Sequence, residues 1–71
     1  MTDELTDRAL VLAITDSVTD RGYPPSVREL ADRFGRSVST IHERLARLAR
    51  DGYVWVEPGR QRAIQVLEVP E

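Results

Sequence analysis

Hydroxyl, imidazole and carboxylate side chains lie close together in a segment of helical period, from Ser39 to Glu43. At about 100° per residue, Ser39 and Glu43 lie opposite the apolar side of this segment, and Thr40 and His42 flank them. Short polar side chains near a helix start let the backbone approach base edges, and a helix N-terminus favours nearby phosphate. The pattern predicts hydrogen bonds to DNA bases. The alternative is an ordinary solvated helix face on which His42 has no role.

The other side of the segment is apolar. Ile41, Leu45 and Leu48 follow one another at i, i+4 and i+7, the spacing of a helix stripe that faces a core. Ser37 is a natural N-cap, so a helix is predicted over about residues 38–51. One face of this helix is therefore available to the core and the other to a ligand.

A capping box marks the start of the preceding helix. The Ser26 hydroxyl is expected to accept from a backbone N–H one turn in, and Glu29 to reach back to the Ser26 N–H. This helix is predicted over residues 27–34 and ends at Gly35, because the left-handed conformation costs glycine little. Two short helices joined by a short turn are typical of a helix-turn-helix.

An amphipathic segment before this pair and alternating segments after it complete the fold. The first predicts a helix over about residues 6–21, whose core-facing residues are Leu10, Val11, Ile14 and Val18. The others flank Pro58-Gly59 and predict a β-hairpin over about residues 53–67. Its buried face is expected to comprise Val54, Val56, Ile64 and Val66. The order predicts an α+β fold, a small winged helix that fills residues 1–71 as one domain.

Arginine is concentrated around the predicted helix-turn-helix. Residues 21–52 hold seven arginines against four acids, whereas residues 1–20 hold five acids against one arginine, within a net charge of −2. This asymmetry would steer one face toward DNA and leave the acids on the far helix. Solubility of the hairpin tip, or a Glu43–Arg47 ion pair within the helix, are the alternatives. The residues expected to bind the DNA backbone are Ser26, Arg28, Arg36, Arg44, Arg47, Arg60 and Arg62.

Little in the composition favours catalysis. The chain has one histidine and no cysteine, and its acids are scattered in a fold with little room for a pocket. We therefore expect a non-enzyme without cofactor, metal or small-molecule substrate. The lack of cysteine, of a signal peptide and of an apolar run of membrane-spanning length predicts a cytoplasmic, nucleoid-associated protein.

Two motifs resemble the N-terminal DNA-binding domain of the LexA family, which represses the SOS response. They are GYPPSVRELA over residues 22–31 and LARLARDG over residues 45–52. The resemblance implies a winged helix that places its third helix in the major groove of a palindromic operator in double-stranded DNA. A homodimer on that DNA is expected because a single small module buries too little surface to bind tightly and selectively. The turn after Gly35 is one residue shorter than in many family members. The base-reading positions of the family fall on Ser37, Ser39, Thr40, His42 and Glu43.

The family also carries a second domain with a self-cleaving Ser-Lys pair, which supplies dimerisation, whereas this chain ends at Glu71. The expectation is therefore a LexA-like repressor sequence without this domain, either as a natural stand-alone domain or as a piece of a longer repressor. A second hypothesis is a winged helix used as a protein-interaction module, with Tyr53, Trp55 and the acidic first helix as its face. Trp55 alternates out of phase with the buried valines, so its side chain is expected to be exposed.

Overall fold

Three helices followed by two strands make up the chain, in a computed structural model that describes residues 4–57 and 64–71. The strands pair as an antiparallel two-stranded sheet, which confirms the predicted small winged helix. The predicted wing tip, with Arg60 and Arg62, lies outside the described residues. The elements are α1 (Asp7–Arg21), α2 (Val27–Phe34), α3 (Val38–Arg50), β1 (Val54–Val56) and β2 (Ile64–Val66).

Each helix begins at a hydroxyl side chain that accepts from the backbone N–H three residues later. At α2, Ser26 accepts from the Glu29 N–H at 3.1 Å, and the Glu29 carboxylate accepts from the Ser26 N–H at 3.3 Å. The capping box expected from the sequence is therefore confirmed. Thr6 and Ser37 cap α1 and α3, and Ser37 accepts from the Thr40 N–H at 3.1 Å.

The turn between α2 and α3 is set by Gly35, whose φ is 64°. At this left-handed residue the chain reverses, and the Arg36 N–H donates to the Ala31 carbonyl at 3.0 Å. The carbonyls in the last turn of a helix have no N–H partner within the helix. This bond supplies a partner for one of them from beyond the helix end. The turn thus delivers Ser37 directly to its capping position at the start of α3.

The core lies where the three helices and the sheet meet. α3 contributes Ile41, Leu45 and Leu48 at 2% exposure or less, so its predicted apolar stripe is confirmed. The other buried side chains come from every element and from the segment before α1: Leu5, Leu10, Val11, Ala13, Ile14, Leu30, Ala31, Phe34, Val54 and Ile64. Burial of this apolar stripe fixes which face of α3 is left for solvent.

The prediction that Val18 faces the core is wrong, because this side chain is 44% exposed. Val18 lies in the last part of α1, on the side of that helix that faces β2 across a groove. Together with Thr15, Pro24 and Val66 it lines this open apolar groove of about 360 Å³. The groove leaves Val18 partly in contact with solvent instead of in the core.

The wing pairs Val54 with Val66, Trp55 with Gln65 and Val56 with Ile64. Val54 and Ile64 are buried, whereas Val56 and Val66 are half-buried and pack against the core. The valine face predicted from alternation is therefore confirmed. Trp55 points the other way and is 57% exposed, as its phase required.

Candidate nucleic-acid interface

The first two turns of α3 present the predicted base-reading side chains to solvent. Ser37, Ser39, His42 and Glu43 are exposed, and Thr40 is half-buried. Because the apolar stripe fixes the rotation of α3, these side chains lie on the outside of the helix-turn-helix. The arrangement offers hydroxyl, imidazole and carboxylate groups at one helix N-terminus, where backbone N–H groups also point outward.

Ser37 and Thr40 act as a linked pair. The Ser37 hydroxyl oxygen accepts from the Thr40 N–H at 3.1 Å, and the same hydroxyl donates to Thr40 Oγ1 at 3.0 Å. These two bonds hold the Ser37 and Thr40 hydroxyl groups together on the first turn of α3.

Ser26 has a structural role that limits its use as a phosphate ligand. Its side chain is 9% exposed and serves as the cap of α2. Its capping partner Glu29 also accepts from the Arg21 guanidinium at 3.0 Å, which ties the end of α1 to the start of α2. An anion bound at the start of α2 would therefore be held by the backbone N–H groups of its first turn and not by the Ser26 hydroxyl.

Arg28 and Arg36 are exposed, the first near the start of the helix-turn-helix and the second in its turn. Arg28 lies in the first turn of α2, and Arg36 lies in the turn that leads to the cap of α3. Both side chains are near helix N-termini, where the fixed partial charge also attracts anions. Arg36 therefore adds positive charge directly before the exposed start of α3, and Arg28 adds it at the start of α2.

Arg44 and Arg47 have a partner that the sequence did not predict. Arg47 Nη2 lies 3.0 Å from Asp7 Oδ1, and Arg44 Nη1 lies 3.4 Å from the same oxygen. The alternative of a Glu43–Arg47 pair is therefore wrong for this conformation. Nor do the acids of α1 all lie far from the arginines, because Asp7 at its first residue crosses to α3.

No local signal reveals the Asp7 contact. Asp7 is 37 residues from Arg44 and 40 from Arg47. The sequence shows an acid in the first turn of α1, which is explained equally well by the helix dipole. Only the packing of α1 against the other helices brings this carboxylate to the middle of α3.

Other surfaces of the described residues offer less to a ligand. The apolar groove near Val18 contains none of the predicted DNA-binding residues. Within residues 4–57 and 64–71, no group of three or more His, Cys, Asp or Glu side chains is placed to hold a metal ion. Over the same ranges, no helix has the length and apolar character to cross a membrane.

Comparison with known proteins agrees with this geometry. The family model described as the LexA DNA binding domain matches residues 2–63. The LexA repressor of Shouchella clausii is 49% identical over 57 residues, which are 79% of this chain and 27% of that protein. The LexA repressor of Mycobacterium leprae is 46% identical over 65 residues, covering 90% and 28% of the two chains. That of Pelotomaculum thermopropionicum is 44% identical over 73 residues, covering 99% and 36%. The chain thus spans about a third or less of the length of most of these relatives.

Proposed function

Because this chain belongs to the LexA DNA-binding domain family, we propose that it recognises a specific double-stranded DNA sequence and acts there as a transcriptional repressor. The observation that carries the proposal is the exposed polar start of α3 opposite a fully buried apolar stripe. A helix held in this way can lie in a major groove while its other face stays in the core. The N-terminal half of α3 is the part that enters the groove.

Base contacts in this proposal come from the exposed side chains of α3. The Thr40 hydroxyl, which Ser37 holds at the start of α3, donates to an acceptor such as a purine N7. Glu43 accepts from a cytosine amino group, which is the base-edge donor that suits a carboxylate. Ser37, Ser39 and His42 complete the reading surface, with Ser37 acting chiefly by holding Thr40 in place.

Phosphate contacts come from the arginines around this surface. Arg28 lies in the first turn of α2, Arg36 directly precedes the cap of α3, and Arg44 and Arg47 follow along α3. Ser26 contributes through the helix end that it caps. Arg60 and Arg62 are assigned to the same role on sequence grounds, in the wing. These contacts supply affinity and register without reading sequence.

Two copies on one palindromic operator are part of the proposal. A single module of this size buries too little surface to bind both tightly and selectively. Two-fold symmetry of the operator would then match two copies of α3 one helical turn of DNA apart. Dimerisation on DNA is sufficient for this arrangement.

A protein-interaction role is the second candidate, and one observation favours it. Trp55 in β1 and Leu67 directly after β2 are 57% and 56% exposed. Large exposed apolar side chains can mark a contact surface for another protein. The polar start of α3 would then be an ordinary solvated face.

Selection of bound sequences from a random duplex pool at about physiological salt separates the two functions. We expect an enriched palindrome, whose half-site spacing reports the arrangement of two copies. A single enriched half-site would contradict the two-copy arrangement but keep sequence-specific binding. No enrichment, with binding that disappears as salt is raised, would refute specific recognition and favour the protein-interaction role.

A further inference from the structure

We propose that Asp7 is a positioning residue that sets the electrostatic strength of the DNA interface by competing with phosphate for Arg44 and Arg47. This inference rests on the proposed DNA binding and goes beyond it, because it assigns a role to an acid outside the helix-turn-helix. Its basis is one carboxylate oxygen, Asp7 Oδ1, that lies within 3.4 Å of both guanidinium groups.

The position of Asp7 is determined by the residues before it. Leu5 is 6% exposed and anchors the chain in the core, and Thr6 caps α1 by accepting from the Ala9 N–H at 3.0 Å. Asp7 is therefore the first residue of a capped helix with a buried anchor directly ahead of it. The carboxylate is held beside α3 by the fold rather than by the ion pairs alone.

The chemistry of the contact makes Asp7 an internal substitute for phosphate. Guanidinium groups bind carboxylate and phosphate oxygens with the same charge-assisted hydrogen bonds. The side chains of Asp7, Arg44 and Arg47 are 39%, 36% and 44% exposed, so solvent and DNA can reach all three. Ion pairs at this exposure are weak and screened by salt, so a phosphate can displace the carboxylate.

Competition has a measurable consequence for salt dependence. A phosphate contact made by a paired arginine breaks an existing ion pair, so it gains less than a contact made by an unpaired one. Each phosphate neutralised changes the slope of log K against log salt by about 0.9. Removal of the Asp7 carboxylate frees Arg44 and Arg47. The slope of log K against log salt is therefore expected to become steeper by about 1 to 2.

The test compares Asp7→Asn with Asp16→Asn, by fluorescence anisotropy on a short duplex of random sequence between about 50 and 200 mM salt. Both changes remove one negative charge from α1, and Asp16 is an exposed residue of that helix with no predicted role in binding. We expect D7N to raise affinity about tenfold at the lowest salt and to steepen the slope, and D16N to change affinity by no more than about threefold. Adding R44Q and R47Q to D7N is expected to remove the gain.

Several results would overturn the inference. Equal effects of D7N and D16N on affinity would show that Asp7 acts only through the net charge of the domain. Weaker binding by D7N, with thermal unfolding unchanged, would mean that Asp7 orients the arginines productively instead of competing for them. A gain in affinity by D7N that remains after R44Q and R47Q are added would show that Asp7 does not act through these two arginines. Absence of binding by both the unmodified chain and D7N at every salt concentration would refute the proposed function itself, and this inference with it.

Discussion

Replacement of Ser37 by alanine tests whether the start of α3 is organised as the structure indicates. The Ser37 hydroxyl accepts from the Thr40 N–H at 3.1 Å and donates to Thr40 Oγ1 at 3.0 Å. Alanine removes both bonds. Because Ser37 is exposed, the change leaves no cavity in the core, and the loss reflects the cap alone.

The expected cost follows from the role of the hydroxyl. Loss of an N-cap side chain lowers the free energy of unfolding by about 1 kcal/mol, within a range of roughly 0.5–2. For a domain of this size, about 1 kcal/mol corresponds to a fall in the unfolding midpoint of roughly 4–8 °C. Because α3 supplies Ile41, Leu45 and Leu48 to the core, loss of its cap is expected to lower the unfolding midpoint of the whole domain.

Thermal and urea unfolding followed by circular dichroism measure this cost. Ser37→Asn is the matched control, because its amide oxygen can accept from the Thr40 N–H and asparagine caps about as well as serine. We expect S37N to stay close to the unmodified protein and S37A to fall below it. Equal stability of S37A and the unmodified chain, or equal loss in S37A and S37N, would refute the capping argument.

The same position separates stability from DNA binding. Ser37→Asp keeps a good cap but places a negative charge where phosphate is expected, so S37D should unfold normally and bind duplex DNA more weakly. S37D that binds DNA as well as S37N does would show that the start of α3 is not beside the DNA backbone. Stability and affinity would then report on different surfaces.

Two further predictions concern α3 and the turn before it. Ile41→Asp should unfold the domain, because Ile41 is fully buried and no described core side chain offers the carboxylate a charge partner; a cooperative thermal transition like that of Ile41→Val would contradict this. Glu43→Gln should change which operator is preferred in a pool selection, whereas Arg36→Gln should weaken binding to all duplexes about equally. The reverse pattern would show that the turn reads bases and the helix binds the backbone.

Signals carried by neighbouring residues were the predictable part of this fold. The capping box at Ser26 and Glu29 and the cap at Ser37 depend on groups three residues apart, and all are present. The apolar stripe of α3 has a strict helical period, so its buried face could be assigned without a structure. Such features are local, and their geometry is largely independent of how the helices pack.

Contacts between distant elements were not predictable in the same way. Val18 has the correct period for the core, but its side chain lines an open groove between α1 and β2. Asp7 was counted with the acids on the far side, yet helix packing brings it to Arg44 and Arg47. Both errors arise because period and charge give the face of one helix and not the position of its neighbours.

The Asp7 contact changes how the net charge of −2 bears on DNA binding. Arginines bind phosphate on any sequence, so every unpaired arginine at the interface strengthens non-specific binding as much as specific binding. A carboxylate that competes for two of them lowers affinity for all DNA while leaving the base contacts of Thr40 and Glu43 untouched. In the proposed role, Asp7 lowers operator binding and non-specific binding by the same factor, so the ratio of the two affinities depends on the base contacts. D7N is therefore expected to bind the selected sequence and a random duplex more tightly by about the same factor, as measured by anisotropy on the two duplexes. A D7N variant that loses preference for the selected sequence would show that the two arginines contribute unequally to specific and non-specific binding.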